Sequence, residues 1–160
     1  DNNTRLAKLE IEKLLMYVNY QRAVDADDVD LLTANTSQAS IFEMVDALAS
    51  GNARSSLQLF HHLLEEEDEY SLFGMIVRQF RLLLLTREIL DEGRGLDDVV
   101  RDLKLHKYPA QKLIGQARRF TISRLEEIYH RLLEIDEGIK TSQTTLPLAF
   151  DLLTAEIAQH

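Results

Sequence analysis

From Leu72 to Leu90 the chain carries a helix-length run that is apolar on nearly every side, with Arg78, Gln79, Arg81 and Arg87 set into it. At 100° per residue, Met75, Ile76, Val77, Phe80, Leu82, Leu83, Leu84, Leu85, Ile89 and Leu90 point around the whole circumference. The pattern therefore predicts a helix enclosed on all sides, with no solvent face. Guanidinium groups in such surroundings are costly to desolvate unless paired, so the arginines are expected to reach carboxylates, helix ends or a partner chain. The segment reads as the centre of an assembly module.

A chain of 160 residues can bury a core of its own, as one domain or one domain with an appendage. Two prolines and six glycines leave little room for a loop-rich or β-rich fold, while Leu, Ala, Glu, Arg and Lys favour helices, so the fold class is all-α. The absence of cysteine excludes disulfides and thiolate metal sites, and makes a reducing, cytoplasmic setting the expectation. The longest aliphatic run, Leu82 to Leu85, falls far short of the roughly 18 to 20 apolar residues that span a bilayer, so no membrane partner is expected. An opening on Asp1 rather than on methionine leads us to expect a piece of a longer protein.

The formal charge of −9 opposes a general affinity for nucleic acid, which needs clustered cations. Its distribution is uneven. Between Arg101 and Arg124 the cations Arg101, Lys104, Lys107, Lys112, Arg118, Arg119 and Arg124 face a single acid, Asp102, and the candidate basic patch is Lys107, Lys112, Arg118 and Arg119.

Along the chain, Leu6, Leu9, Leu14, Leu15 and Val18 predict a first helix over about Thr4 to Val18, and Asp25, Asp27 and Asp28 predict the start of a second. The small polar run from Thr33 to Ser40 reads as a linker, dividing the chain into residues 1–33, a linker at 34–40 and a domain at 41–160. Ser37 or Ser40 is expected to cap a helix carrying Ile41, Phe42, Val45, Leu48 and Ala49, which Gly51 ends. Asn52 starts the next, with Leu57, Phe60, Leu63 and Leu64 on one side and the acidic run Glu65 to Glu69 as its solvated end. After the central helix, Gly93 and Gly95 stop the chain, Leu96 to Leu105 forms a short helix, and His106, Lys107 and Tyr108 make a turn. Pro109 then fits the first position of a helix. Thr121 or Ser123 caps a helix whose Ile122, Leu125, Ile128, Leu132, Ile135 and Ile139 recur at spacings of 3, 3, 4, 3 and 4. A polar loop over Lys140 to Thr145 leads to a last helix with Leu146, Ala149, Phe150, Leu153 and Ile157.

Catalytic signatures are missing from these elements. Gly93-Arg94-Gly95 lacks the Lys and Ser or Thr of a phosphate-binding loop, and Glu127-Ile128-Tyr129-His130 is one unduplicated Glu-x-x-His. No catalytic residue, cofactor or metal site is therefore expected.

Several blocks, in order over about 120 residues, resemble the C-terminal part of the δ subunit of the bacterial DNA polymerase III clamp loader. They are Ile41-Phe42-Glu43-Met44-Val45-Asp46-Ala47-Leu48, Arg78-Gln79-Phe80-Arg81-Leu82-Leu83, Gln116-Ala117-Arg118-Arg119-Phe120, Ile139-Lys140-Thr141 and Leu148-Ala149-Phe150-Asp151-Leu152-Leu153. Residues 1–33 look like the end of the small helical lid domain that precedes the collar in this family. The chain departs from the family at Lys107, where proline is frequent, and at Ser142, where glycine is frequent.

The resemblance implies an all-α helical bundle, the collar domain, preceded by the last lid helices. It implies a non-catalytic subunit that assembles with the ATPase and stator subunits of the clamp loader. The sliding clamp would be met only through an N-terminal domain lying outside this chain, and DNA at most indirectly. Arg78, Gln79, Arg81 and Lys140 are the candidate subunit-interface residues; for Arg78 and Arg81, pairing with carboxylates of their own domain is the competing reading. Two alternatives remain at this level: the collar of a sister subunit, or a helix-turn-helix nucleic-acid binder built from Leu96 to Phe120.

Overall fold

The computed structural model describes residues 2–17, 20, 22–24 and 36–158, which carry eight helices and no strand among them. The chain separates into two compact units, Asp1–Thr36 and Ser37–His160. In the first, α1 spans Asn2–Tyr17. Leu14 is buried, whereas Leu9, expected on the same stripe, is 53% exposed. Val18 and the expected second helix at Asp25 lie outside the described residues.

The second unit runs through α2 (Thr36–Ala49), α3 (Ala53–Glu66), α4 (Glu69–Asp91), α5 (Leu96–Leu103), α6 (Lys107–Ala117), α7 (Ile122–Lys140) and α8 (Leu146–Ala158). Thr36 to Ser40, expected as linker, is the first part of α2. Small polar residues are as much the composition of a helix start as of a loop. Ser37 is buried there with its hydroxyl on Glu67, which fastens the beginning of α2 to the end of α3.

Local signals set most of the remaining boundaries. Asn52 caps α3, its side-chain oxygen accepting from Ser55 N at 3.1 Å, and Thr121 caps α7 by accepting from Arg124 N at 3.2 Å. Gly51 and Gly93 take the left-handed conformation just past α2 and α4, with φ of 73° and 77°. The acidic run divides: Glu65 and Glu66 are the exposed end of α3, and the rest of the run starts the next helix. Asp68 caps α4 by accepting from Ser71 N at 3.1 Å, and Glu69 lies in the first turn, where negative charge suits the helix dipole. Pro109 is the third residue of α6, not the first, because the helix already begins at Lys107. Its missing N–H still falls among the donors that a helix start leaves free.

The core is built around α4, which packs on α7 and α6 and more lightly on α5 and α3, while α8 closes over α3 and α7. Phe80, Leu83, Ile76 and Leu72 of α4 are fully buried, as are Leu125 of α7 and Phe60 of α3. Phe60 stacks on Phe150 of α8 with ring centroids 3.9 Å apart. A smaller cluster of Ile89, Val99, Ala110 and Ile114 joins the end of α4 to α5 and α6.

The central helix is not enclosed on all sides. Ser71, Gly74, Arg78, Arg81 and Glu88 form an exposed stripe along α4. The reason is depth: Met75, Val77, Leu82 and Leu84 reach the core only from its edge and stay half-buried, as does Leu85. A helical wheel gives directions but not how far a neighbour extends around the helix.

Candidate assembly surface

The most recognisable block, Arg78 to Arg81, splits by direction. Phe80 points inward and meets Phe120 edge-on with centroids 6.5 Å apart, and Gln79 is half-buried, its amide donating to Gln116 Oε1 at 2.7 Å. Arg78 and Arg81, one helical turn apart, point outward and are exposed. Neither has a hydrogen-bond or ion-pair partner among the described residues, so the alternative of pairing with carboxylates of their own domain is not what this fold adopts. Arg87 differs, being paired with Asp91 on the same helix; that hydrogen bond holds the Asp91 carboxyl below its ordinary range. Half-buried Met75, Val77, Leu82 and Leu85 flank the two free guanidinium groups. Such a surface can accept carboxylates while covering hydrocarbon.

Gln116 escaped the sequence reading as a functional position. It is 2% exposed and carries three hydrogen bonds: it accepts from Gln79, and its Nε2 donates to Phe42 O at 3.0 Å and to Asp46 Oδ1 at 3.1 Å. Asp46 also meets Arg119 at 3.5 Å, and Arg119 donates to Ser50 Oγ at 3.2 Å. Three of the family-like blocks, on α2, α4 and α6, are therefore joined by one polar network at the back of the arginine stripe. Gln79 positions α4 against α6; its amide is already engaged. The only sequence signal was a Gln at an inward-facing position of an otherwise apolar helix stripe, which calls for a partner when buried.

Lys140 lies in the last turn of α7, 2.6 Å from Asp136. It lines a groove of about 470 Å³ with Tyr70 and Phe73 of α4 and Leu148 of α8. Tyr70 is 74% exposed and Leu148 is 55% exposed, so this groove also presents hydrocarbon. Of the basic patch, Lys107 and Arg118 are exposed with no partner among the described residues. Lys112 stands over the rings of Tyr108 at 4.9 Å and Phe42 at 5.8 Å, and Arg119 is held by Asp46 and Ser50. The structure thus places Lys107 and Lys112 on α6, Arg118 and Arg119 in the turn after it, and the interface candidates on α4 and α7. No group of three or more potential metal ligands occurs among the described residues, and no described helix is long and apolar enough to cross a membrane.

The chain has relatives among known proteins. DNA polymerase III subunit delta of Bacillus subtilis (strain 168) is 29% identical over 152 residues, covering 94% of this chain and 44% of that protein. The solved structure of the Bacillus subtilis DNA clamp loader delta protein (YqeN) superposes with a TM-score of 0.74 at 28% identity, covering 95% of this chain and 45% of that one. The chain thus spans less than half the length of these relatives. The family model for the DNA polymerase III delta subunit, C-terminal domain, matches residues 38–157, which take in the arginine stripe, the Gln116 network and the groove at Lys140, and the chain belongs to that family.

Proposed function

We propose that this chain is a non-catalytic scaffold of the replicative clamp loader, whose helical collar assembles side by side with the ATPase and stator subunits so that the complex can load the sliding clamp on primed DNA. Residues 1–33 are read as the end of the lid and 41–160 as the collar. One observation carries the reading: the exposed stripe of α4 sets two arginines, without a partner among the described residues, amid half-buried aliphatic side chains, in a chain with 27 acids and 18 bases. With carboxylates abundant in the same chain, two adjacent like charges left unpaired on one helix face suit a carboxylate brought by a neighbour. Gly74 lies on the same stripe, and a Cβ there would meet nothing within 4 Å. No packing inside the chain calls for that glycine, whereas a closely approaching helix does.

Apolar burial around the arginines supplies the affinity in this reading, and the guanidinium groups set the register. The groove at Lys140, Tyr70 and Leu148 is a second contact of the same kind. The test is co-elution of the chain with the ATPase and stator subunits, sized by light scattering. Wild type enters the complex, and the double substitution Arg78→Glu/Arg81→Glu abolishes co-elution while leaving the circular dichroism and melting curve unchanged. Undiminished assembly of the folded double variant overturns the α4 assignment.

A further inference from the structure

The outward face of α6 is built unlike the stripe on α4. Its exposed positions are Lys107, Tyr108, Gln111, Lys112 and Gly115, and the turn that ends the helix adds exposed Arg118 and Arg119: cations along both edges, polar or small groups between them, and no aliphatic side chain. No acid occurs anywhere in α6. Of the acids on the neighbouring helices, Asp98 of α5 is engaged with Arg101 at 2.6 Å and Asp102 with Arg94 at 2.5 Å and Arg101 at 2.9 Å, while Asp46 of α2 meets Arg119 at 3.5 Å and leaves Lys107, Lys112 and Arg118 without an acid. Protein interfaces are depleted in lysine and need an apolar centre, and this face has neither property. Lys, Arg, Gln and Tyr are the side chains that hold nucleic-acid phosphates.

Two further features point the same way. The eight residues of α5 are followed by the three-residue turn Lys104 to His106, opened by a left-handed residue with φ of 53°, and α5 packs directly on α6. A short helix, a three-residue turn and a second helix packed on the first follow the order of a helix-turn-helix connection, in which α6 takes the second place. Gly115 stands at the middle of the cationic face, and a Cβ built on it would meet nothing within 4 Å. Glycine is the poorest helix former after proline, and the packing of this chain gives no reason for one here. Close approach of the helix backbone to an outside surface does.

We propose that α6 and the turn ending it dock on duplex DNA through the phosphate backbones flanking one groove, with Lys107 and Arg118 on one edge, Lys112 on the other beside Arg119, whose charge Asp46 shares, and Gly115 at closest approach. This goes beyond the indirect DNA role implied by the family likeness and is independent of the α4 surface. Binding is driven by counterion release, so it falls steeply with salt and depends little on sequence.

The test is fluorescence anisotropy of a labelled duplex at about 50 mM salt and upward, against the same strand unpaired and against a labelled poly-glutamate peptide. The duplex is expected to bind more tightly than either. Lys107→Gln/Arg118→Gln weakens it about tenfold and lowers the slope of log K against log salt by about two. Arg54→Gln, which removes an exposed charge on α3, leaves affinity within about twofold. Gly115→Gln separates the docking role from stability: it raises the melting temperature, since glutamine is the better helix former, and weakens the duplex complex. Absence of duplex binding, equal or tighter binding of the single strand or the acidic peptide, or indifference of the duplex complex to the Lys107, Arg118 and Gly115 changes overturns the proposal.

Discussion

Replacing Gln116 by methionine keeps the side-chain volume and removes every polar atom, so it isolates the network behind the arginine stripe. Three hydrogen bonds are lost: from Gln79 at 2.7 Å, to Phe42 O at 3.0 Å and to Asp46 Oδ1 at 3.1 Å. A neutral bond contributes about 1 kcal/mol net and one to a carboxylate about 1.5–3 kcal/mol. The Asp46 side chain is 40% exposed and recovers water, which puts its bond at the low end. The Phe42 carbonyl keeps its helical bond, and methionine returns a little from burial, leaving a net loss of about 2–3 kcal/mol. For a domain of this size that lowers the melting temperature by about 10 °C.

Urea unfolding followed by circular dichroism measures the change as a lower midpoint at constant m. Gln79→Met severs one bond of the three and is expected to destabilise by about 1 kcal/mol, and in the double variant that loss disappears because its partner has gone. A Gln116→Met change under about 0.5 kcal/mol, or single effects that simply add, refutes the account of α2, α4 and α6 as joined through this side chain.

Four other outcomes follow from local changes. Ser142 holds φ at 58°, where a Cβ is strained, so Ser142→Gly raises stability by about 0.5 kcal/mol, read as a higher urea midpoint; a lower midpoint contradicts it. Asp68→Ala removes the cap of α4 and lowers stability by about 1 kcal/mol, whereas Asp68→Asn or Asp68→Ser retains most of it. Phe150→Ala empties the stack on Phe60 and destabilises by about 3–5 kcal/mol by denaturant titration, the range for a fully buried ring. Asp98 is held below its ordinary range first by the Gly95 N–H and then by Arg101, and Asp102 first by Arg94 and then by Arg101. A lowered folded-state pKa stabilises above the unfolded value near 4 and is lost as pH falls through the folded value. The stability gap between wild type and Asp98→Asn/Asp102→Asn is therefore full above about pH 5 and closes as pH falls below about 4 and on through the lowered folded values, and a gap that widens in acid refutes it.

Ser142 also shows how a family departure acquires a physical meaning. Ser142 N donates to Ile139 O at 3.1 Å and Gln143 N to Gly138 O at 2.8 Å, the same pairing that Gly93 and Arg94 make at the end of α4. Only the backbone conformation reveals that position as left-handed; the letters Thr-Ser-Gln show a polar loop and no more. The basic patch was legible as a count of cations, but the sequence could not say that Arg119 is held by Asp46 and Ser50 while Lys107 and Arg118 stand free. Those contacts join α6 to α2, 69 residues apart for Arg119 and Ser50.

What the sequence determined by itself is local in origin. Stripes at spacings of three and four placed the core of α7 and α8, since Leu125, Ile128, Leu132, Ile135, Leu146, Phe150 and Leu153 are all buried, and Asn52 and Thr121 marked helix starts through bonds to residues three positions on. Tertiary structure decided which side of α4 meets solvent, that Gln79 turns inward to a partner 37 residues away, and that Arg78 and Arg81 lack partners among the described residues. The division has one cause. Caps and helical periodicity are settled within a few residues, whereas the burial of a side chain depends on how far neighbouring helices reach around it, and that is fixed only when the whole bundle closes.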